Sequence, residues 1–192
     1  MVYTPDVSRP IDRSRPAPRR PCLAVEPRAS AALTFKPDEV DWKILKELQD
    51  DGRITNVELS RRAGISAPPC LRRVRALEEA GVIEGYRALL DEKTLGYELT
   101  AFAMVSLSSQ SEADLSAFEA AVAGWPIVRQ CWMLSGDTDF VLICVARDLK
   151  SFQDFIIQSL TRHPSVAGVK TALTIKASKR EAMVPMEAGR GA

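Results

Sequence analysis

Residues Thr55 to Gly81, TNVELSRRAGISAPPCLRRVRALEEAG, confine this chain to a short helix, a tight turn and a second helix. The Thr55 hydroxyl is placed to cap the first helix, and Glu58, three residues on, is spaced to reach back to the cap's own N–H in a capping box. Gly64 permits positive φ, and Ser66 offers a second N-cap ahead of Ala67, Pro68 and Pro69. Proline at the second and third helical positions removes no intrahelical bond, because those N–H groups have no partner. Gly81 ends the second helix. Leu71, Val74 and Leu77 make one side of it apolar, while Arg72, Arg73 and Arg75 point elsewhere. Arg53, Arg61 and Arg62 add charge of the same sign, and Glu58 alone opposes them between Arg53 and Arg75.

A capped helix, a glycine turn and a cationic second helix match a helix-turn-helix, whose second helix lies in the major groove of double-stranded DNA. Arg61, Arg62, Arg72, Arg73 and Arg75 are then the candidate phosphate and base contacts. The plainer reading is a solvated helical hairpin. Because the whole chain carries a net charge of only +1, affinity for DNA has to come from this local patch.

Upstream, residues 1–36 combine six prolines, from Pro5 to Pro27, with Arg9, Arg13, Arg15, Arg19, Arg20 and Arg28. Such a stretch buries too little to offset its ordering entropy, so a disordered arm is expected, either inert or adding phosphate contacts. Asp38 can cap a helix to about Asp50 with Val40, Ile44, Leu45 and Leu48 on one face, which completes a three-helix domain over 37–90. Ile83 to Leu90 has β character and reads as a wing or as a strand leading out of the domain. A linker is expected over 91–98.

From Leu99 the period changes. Leu99–Leu107, Ile127–Leu134, Phe140–Ala146 and Val166–Ile175 read as strands, and Ser111 and Asp148 can cap two helices between them. The order βαββαβ over 99–178 predicts a ferredoxin-like sandwich, making the chain α+β, with a tail over 179–192. Phe140–Ala146 is apolar at every position, so both sheet faces are expected to be covered, one by the helices and the other by a second copy or by the chain's own C-terminal tail. Of Val141 and Ile143, one is expected to face a partner sheet and the other the core.

The turn Ser135-Gly136-Asp137-Thr138-Asp139 sets two carboxylates one residue apart beside apolar strands. It can receive an ammonium group, hold a cation, or satisfy its own N–H groups. No nucleophile, histidine or further carboxylate is placed to work with the pair, so no enzyme is expected. Four cysteines without C-x-x-C spacing and a single histidine argue against a metal site or cofactor and for a reduced, cytoplasmic protein. With 46% apolar residues the chain has ample core, yet no run approaches the length of a membrane span.

Together the two halves resemble the Lrp/AsnC regulators, feast/famine proteins of bacteria and archaea, over roughly Glu39 to Ala182. The resemblance rests on ILKELQDDGRITNVELSRRAGIS, on PPCLRRVRALEEAGVIEGY, and on CWMLSGDTDF, where the family has a G-D-x-D-[YF] turn. It implies a winged-type helix-turn-helix, a small amino acid as effector, control of amino-acid metabolism genes, and homodimers assembling into octamers or similar discs. It also implies that Ser66, Pro68, Arg72, Arg73 and Arg75 lie in the recognition helix, and that Gly136, Asp137 and Asp139 form the effector-responsive turn. An amino acid there needs acceptors for its ammonium, from Asp137 or Asp139, N–H donors for its carboxylate from the Gly136–Asp139 backbone, Thr138 included, and wall from Met133 or Leu134. Arg72 stands where the family often has an acid, and Ala67-Pro68-Pro69 departs from its usual order. An amino-acid-binding metabolic module and a nucleoid-type DNA-organising protein are the alternative functions.

Overall fold

The structure, a computed structural model, describes residues 36–179 and 184–185. The N-terminal arm, apart from Lys36, and most of the 179–192 tail lie outside the described residues. Backbone proximity divides the chain into two compact units between Leu89 and Leu90, with Val184 and Pro185 grouped with the first.

The first unit contains α1 (Glu39–Asp50), α2 (Asn56–Ala63) and α3 (Ala67–Glu79). Asp38 caps α1 by accepting from the N–H groups of Val40 and Asp41, and the Asp41 carboxylate accepts in turn from the Asp38 N–H, a full capping box. At α2 only half of the expected box forms. Thr55 Oγ1 accepts from the Glu58 N–H at 3.2 Å, but the Glu58 carboxylate is taken by arginines. Gly64 (φ 73°) ends α2, and Gly81 (φ 72°) follows α3. Both helices close with the paired bonds of a Schellman turn: Ile65 N–H to Ser60 O and Gly64 N–H to Arg61 O, then Val82 N–H to Leu77 O and Gly81 N–H to Glu78 O. Ile44, Leu45, Leu59, Ala63, Cys70 and Leu77 form the core, with Val40, Trp42, Leu48 and Val74 packed against it. Cys70 is fully buried, whereas Leu71, expected in the stripe, is only half-buried.

No strand forms over Ile83–Leu90. The backbone there is irregular and most of its side chains are exposed, with Tyr86 fastened to Glu78 by a 3.0 Å hydrogen bond. The β-like composition lacks a neighbouring strand within the described chain to pair with, and a strand needs one.

The second unit runs β1 (Leu99–Leu107), α4 (Glu112–Ala123), β2 (Val128–Met133), β3 (Phe140–Ala146), α5 (Leu149–Phe155) and β4 (Val166–Leu173), with a five-residue π turn, Ile156–Leu160, continuing α5. The sheet order is β2-β3-β1-β4 with antiparallel pairs throughout, the ferredoxin-like arrangement. Ala101, Ala103, Val105 and Leu107 from β1 and Phe140, Leu142 and Cys144 from β3 meet Phe118, Phe152 and Leu160 in the core. Opposite them, Phe102 registers with Ile143 and Met104 with Val141, all four half-buried. Val141 and Ile143 therefore share the outer face, contrary to the expectation that they split between faces, because side chains two apart in a strand point the same way.

Candidate functional site

The α2–turn–α3 unit presents the predicted arginines in two groups. Arg61 and Arg62 are exposed but paired. Arg61 grips Glu58 through Nη2 at 2.6 Å and Nε at 2.9 Å, while Arg62 bridges Glu47 at 2.8 Å and Glu58 at 2.8 Å. Hydrogen bonds from Arg61 and then Arg62 draw the Glu58 carboxyl down to about 2, and Glu47 foremost holds Arg62 well above its ordinary value. Arg73 turns inward: its Nη1 lies 2.7 Å from Asp38 Oδ2 and 2.8 Å from Asp41 Oδ1, so α3 is tied to the N-terminus of α1. Arg72 and Arg75 are exposed and have no ion pair or hydrogen bond among the described residues. Ser66 has the extended backbone of an N-cap, but its hydroxyl makes no cap bond, and Pro68 beside it is exposed.

In the second unit, Met133, Leu134, Ser135, Gly136 and Asp139 line a cleft of ≈ 230 Å³ together with Gln110 and Leu115. Asp139 is the notable member. It is only 8% exposed, and its two oxygens accept from the Leu107 N–H and from Gln110 Nε2, each at 2.7 Å. Its N–H donates to Val105 O in β1, and its carbonyl accepts from the Leu134 N–H, so the turn is closed across its base and tied to β1 at its Asp139 end. Gly136, at φ 134°, takes a conformation that a side chain would strain. Asp137 and Thr138 lie outside the cleft lining; Asp137 is exposed, and its carbonyl accepts from Ser106 Oγ.

Gln110, Leu115 and Ser135 are cleft residues that the sequence pattern does not single out. Ser135 stands in the same turn, but Gln110 arrives from the β1–α4 connection and Leu115 from α4, and nothing in their own spacing signals a cleft. Among the described residues no group of three or more histidines, cysteines or carboxylates gathers as metal ligands, and no helix is long and apolar enough to cross a membrane. Burial pushes the thiols up, to about 11 for Cys131 and about 12 for Cys144, and raises Cys70 as well, so all three serve as protonated packing groups.

A cationic helix-turn-helix on one unit and a ferredoxin-like sandwich with a small cleft at its β2–β3 turn on the other define the two-part build of a transcriptional regulator. Residues 37–84 match the winged helix-turn-helix DNA-binding family, and residues 100–184 match the Lrp/AsnC ligand binding domain. The chain is 64% identical over 142 residues to a leucine-responsive regulatory protein of Rhizobium meliloti, covering 74% of this chain and 91% of that one. It is 39% identical to the transcriptional regulator AzlB of Bacillus subtilis over 78% of this chain and 96% of the relative. Among solved structures, a transcriptional regulator of Neisseria meningitidis in complex with L-Met superposes with a TM-score of 0.75 at 38% identity, covering 78% of this chain and 96% of that one. An AsnC family regulator of Agrobacterium tumefaciens gives 0.74 at 30% identity, over 78% and 97%. The chain belongs to the Lrp/AsnC family of transcriptional regulators.

Proposed function

We propose that the cleft at the β2–β3 turn binds a free amino acid with an apolar side chain and that this ligand modulates DNA binding by the helix-turn-helix. The observation that carries the reading is Asp139, a nine-tenths-buried carboxylate in the cleft lining with no ion pair among the described residues. A ligand ammonium supplies the missing charge, and turn N–H groups with the Leu115, Met133 and Leu134 walls fit the remainder of an amino acid. The L-Met complex of the Neisseria regulator and the names of the leucine-responsive relatives support the same ligand class. Asp139→Asn keeps an acceptor for Leu107 but removes the charge. By calorimetry it is expected to bind L-leucine or L-methionine about tenfold to a hundredfold more weakly than wild type, with DNA affinity within a few fold. Equal affinity in the two proteins would rule out the ammonium site.

On the DNA side, Arg72 and Arg75 are the proposed contacts, because they are the α3 arginines whose charge is not already spent on an acid. Arg75→Ala is expected to weaken binding to all sequences alike and to lower the salt slope by about one unit, whereas Arg72→Ala, nearer the helix front, shifts sequence preference. Mobility shifts across a salt series and a set of operator variants measure both; unchanged binding in the two variants would remove α3 from the groove. The outer sheet face of Phe102, Met104, Val141 and Ile143 is proposed to pair with that of a second copy. This gives the homodimer from which larger assemblies are built, in the cytoplasm, where DNA is met.

A further inference from the structure

We infer that Gln110 competes with the amino-acid ammonium for Asp139, so that effector binding exchanges one donor for the other and Gln110 sets the effector threshold. This rests on the cleft reading above. The two donors to Asp139 differ in kind. The Leu107 N–H belongs to the end of β1 and is held by the strand, whereas Gln110 Nε2 sits on a long, exposed side chain in the connection before α4. The first cannot leave without unravelling the sheet; the second leaves by rotamer changes. Both Gln110 and Asp139 line the cleft, so a ligand there meets this bond directly.

The energetics favour the exchange. Asp139 receives only neutral donors, and an ammonium at Oδ1 makes a charge-assisted bond, roughly twice as strong as the amide's. The displaced Gln110 amide is already at the surface and regains water, so no buried polar group is orphaned. What the protein loses is the Gln110–Asp139 bond itself, and that loss subtracts from effector affinity. The glutamine therefore acts as a built-in competitor that requires the ligand to carry a cation.

The experiment is calorimetric titration of the full chain with L-leucine, L-methionine and 4-methylpentanoate, which lacks the ammonium. Gln110→Ala and the size-preserving Gln110→Met are compared with wild type, and circular dichroism confirms that each variant folds. Both variants are expected to bind the amino acids about fivefold more tightly, while 4-methylpentanoate gains nothing from either. Weaker or equal amino-acid binding in the variants would mean that Gln110 holds Asp139 in place, and the competition would be refuted. An equal gain for 4-methylpentanoate would mean that the cleft had merely widened, which refutes the competition as well. Absence of heat with the amino acids in wild type and both variants would instead remove the effector cleft, and this inference along with it.

Discussion

Val141→Asp is expected to convert the protein to a folded monomer and to lower operator affinity by about a hundredfold. In the single chain Val141 is half-buried on the outer sheet face, registered against Met104 on one side and Trp132 on the other. A carboxylate there reaches water while the chain is alone, so the fold survives. Pressed against a second sheet it would be desolvated without a partner, a penalty of several kcal/mol that the association must absorb. DNA affinity falls because two linked reading helices gain roughly a hundredfold or more from effective concentration, and a monomer forfeits that gain. Leu142→Asp, one residue on, is the contrasting control, since Leu142 is fully buried under the helices and its substitution unfolds the unit. Sedimentation and mobility shift read the two effects. A wild-type protein that sediments as a monomer at micromolar concentration, or a Val141→Asp protein that remains dimeric, would overturn the proposed pairing of faces.

Arg73→Ala is expected to destabilise the DNA-binding unit rather than to act as the loss of a phosphate contact. Its guanidinium spans Asp38 and Asp41, and Asp41 is 6% exposed. Removing the cation leaves that carboxylate buried with only the Asp38 N–H, which costs about 2 kcal/mol once the half-open geometry is discounted for screening. In a unit of this size that lowers the melting midpoint by roughly 10 °C. The pH dependence has a definite sign. The Asp41 N–H first, and then Arg73, hold the Asp38 carboxyl below its usual range, so its contribution is present above the unfolded value of about 3.9 and is lost as pH falls through the lower folded value. Arg73→Ala should therefore melt early at neutral pH and approach wild type in strong acid. At a temperature where both are folded, its salt slope on DNA should match that of wild type. A full-stability variant with a reduced slope would return Arg73 to the phosphate contacts.

Much of the architecture is legible in the sequence, for local reasons. Asp38, Thr55, Ser111 and Asp148 mark helix starts because a side-chain oxygen must meet N–H groups two or three residues away. Gly64 marks a turn because few residues other than glycine tolerate its φ. The alternation in Leu99–Leu107 marks a half-buried strand because neighbouring side chains point to opposite faces. The turn at Gly136–Asp139 can also be singled out, since its composition alone is unusual beside apolar strands.

What a residue's charge is used for was decided only by the tertiary structure. Arg72, Arg73 and Arg75 are equivalent in sequence, yet only Arg73 meets carboxylates, and those lie more than thirty residues earlier in the chain. Asp137 and Asp139 are likewise a symmetric pair on paper. Folding turns one to water and buries the other against the Leu107 N–H and Gln110, about thirty residues away. Capping, turns and strand period depend on groups within a few residues and are written locally. Ion pairing and cleft formation depend on which distant segments the packed core brings within hydrogen-bond reach, and the linear pattern carries no record of that.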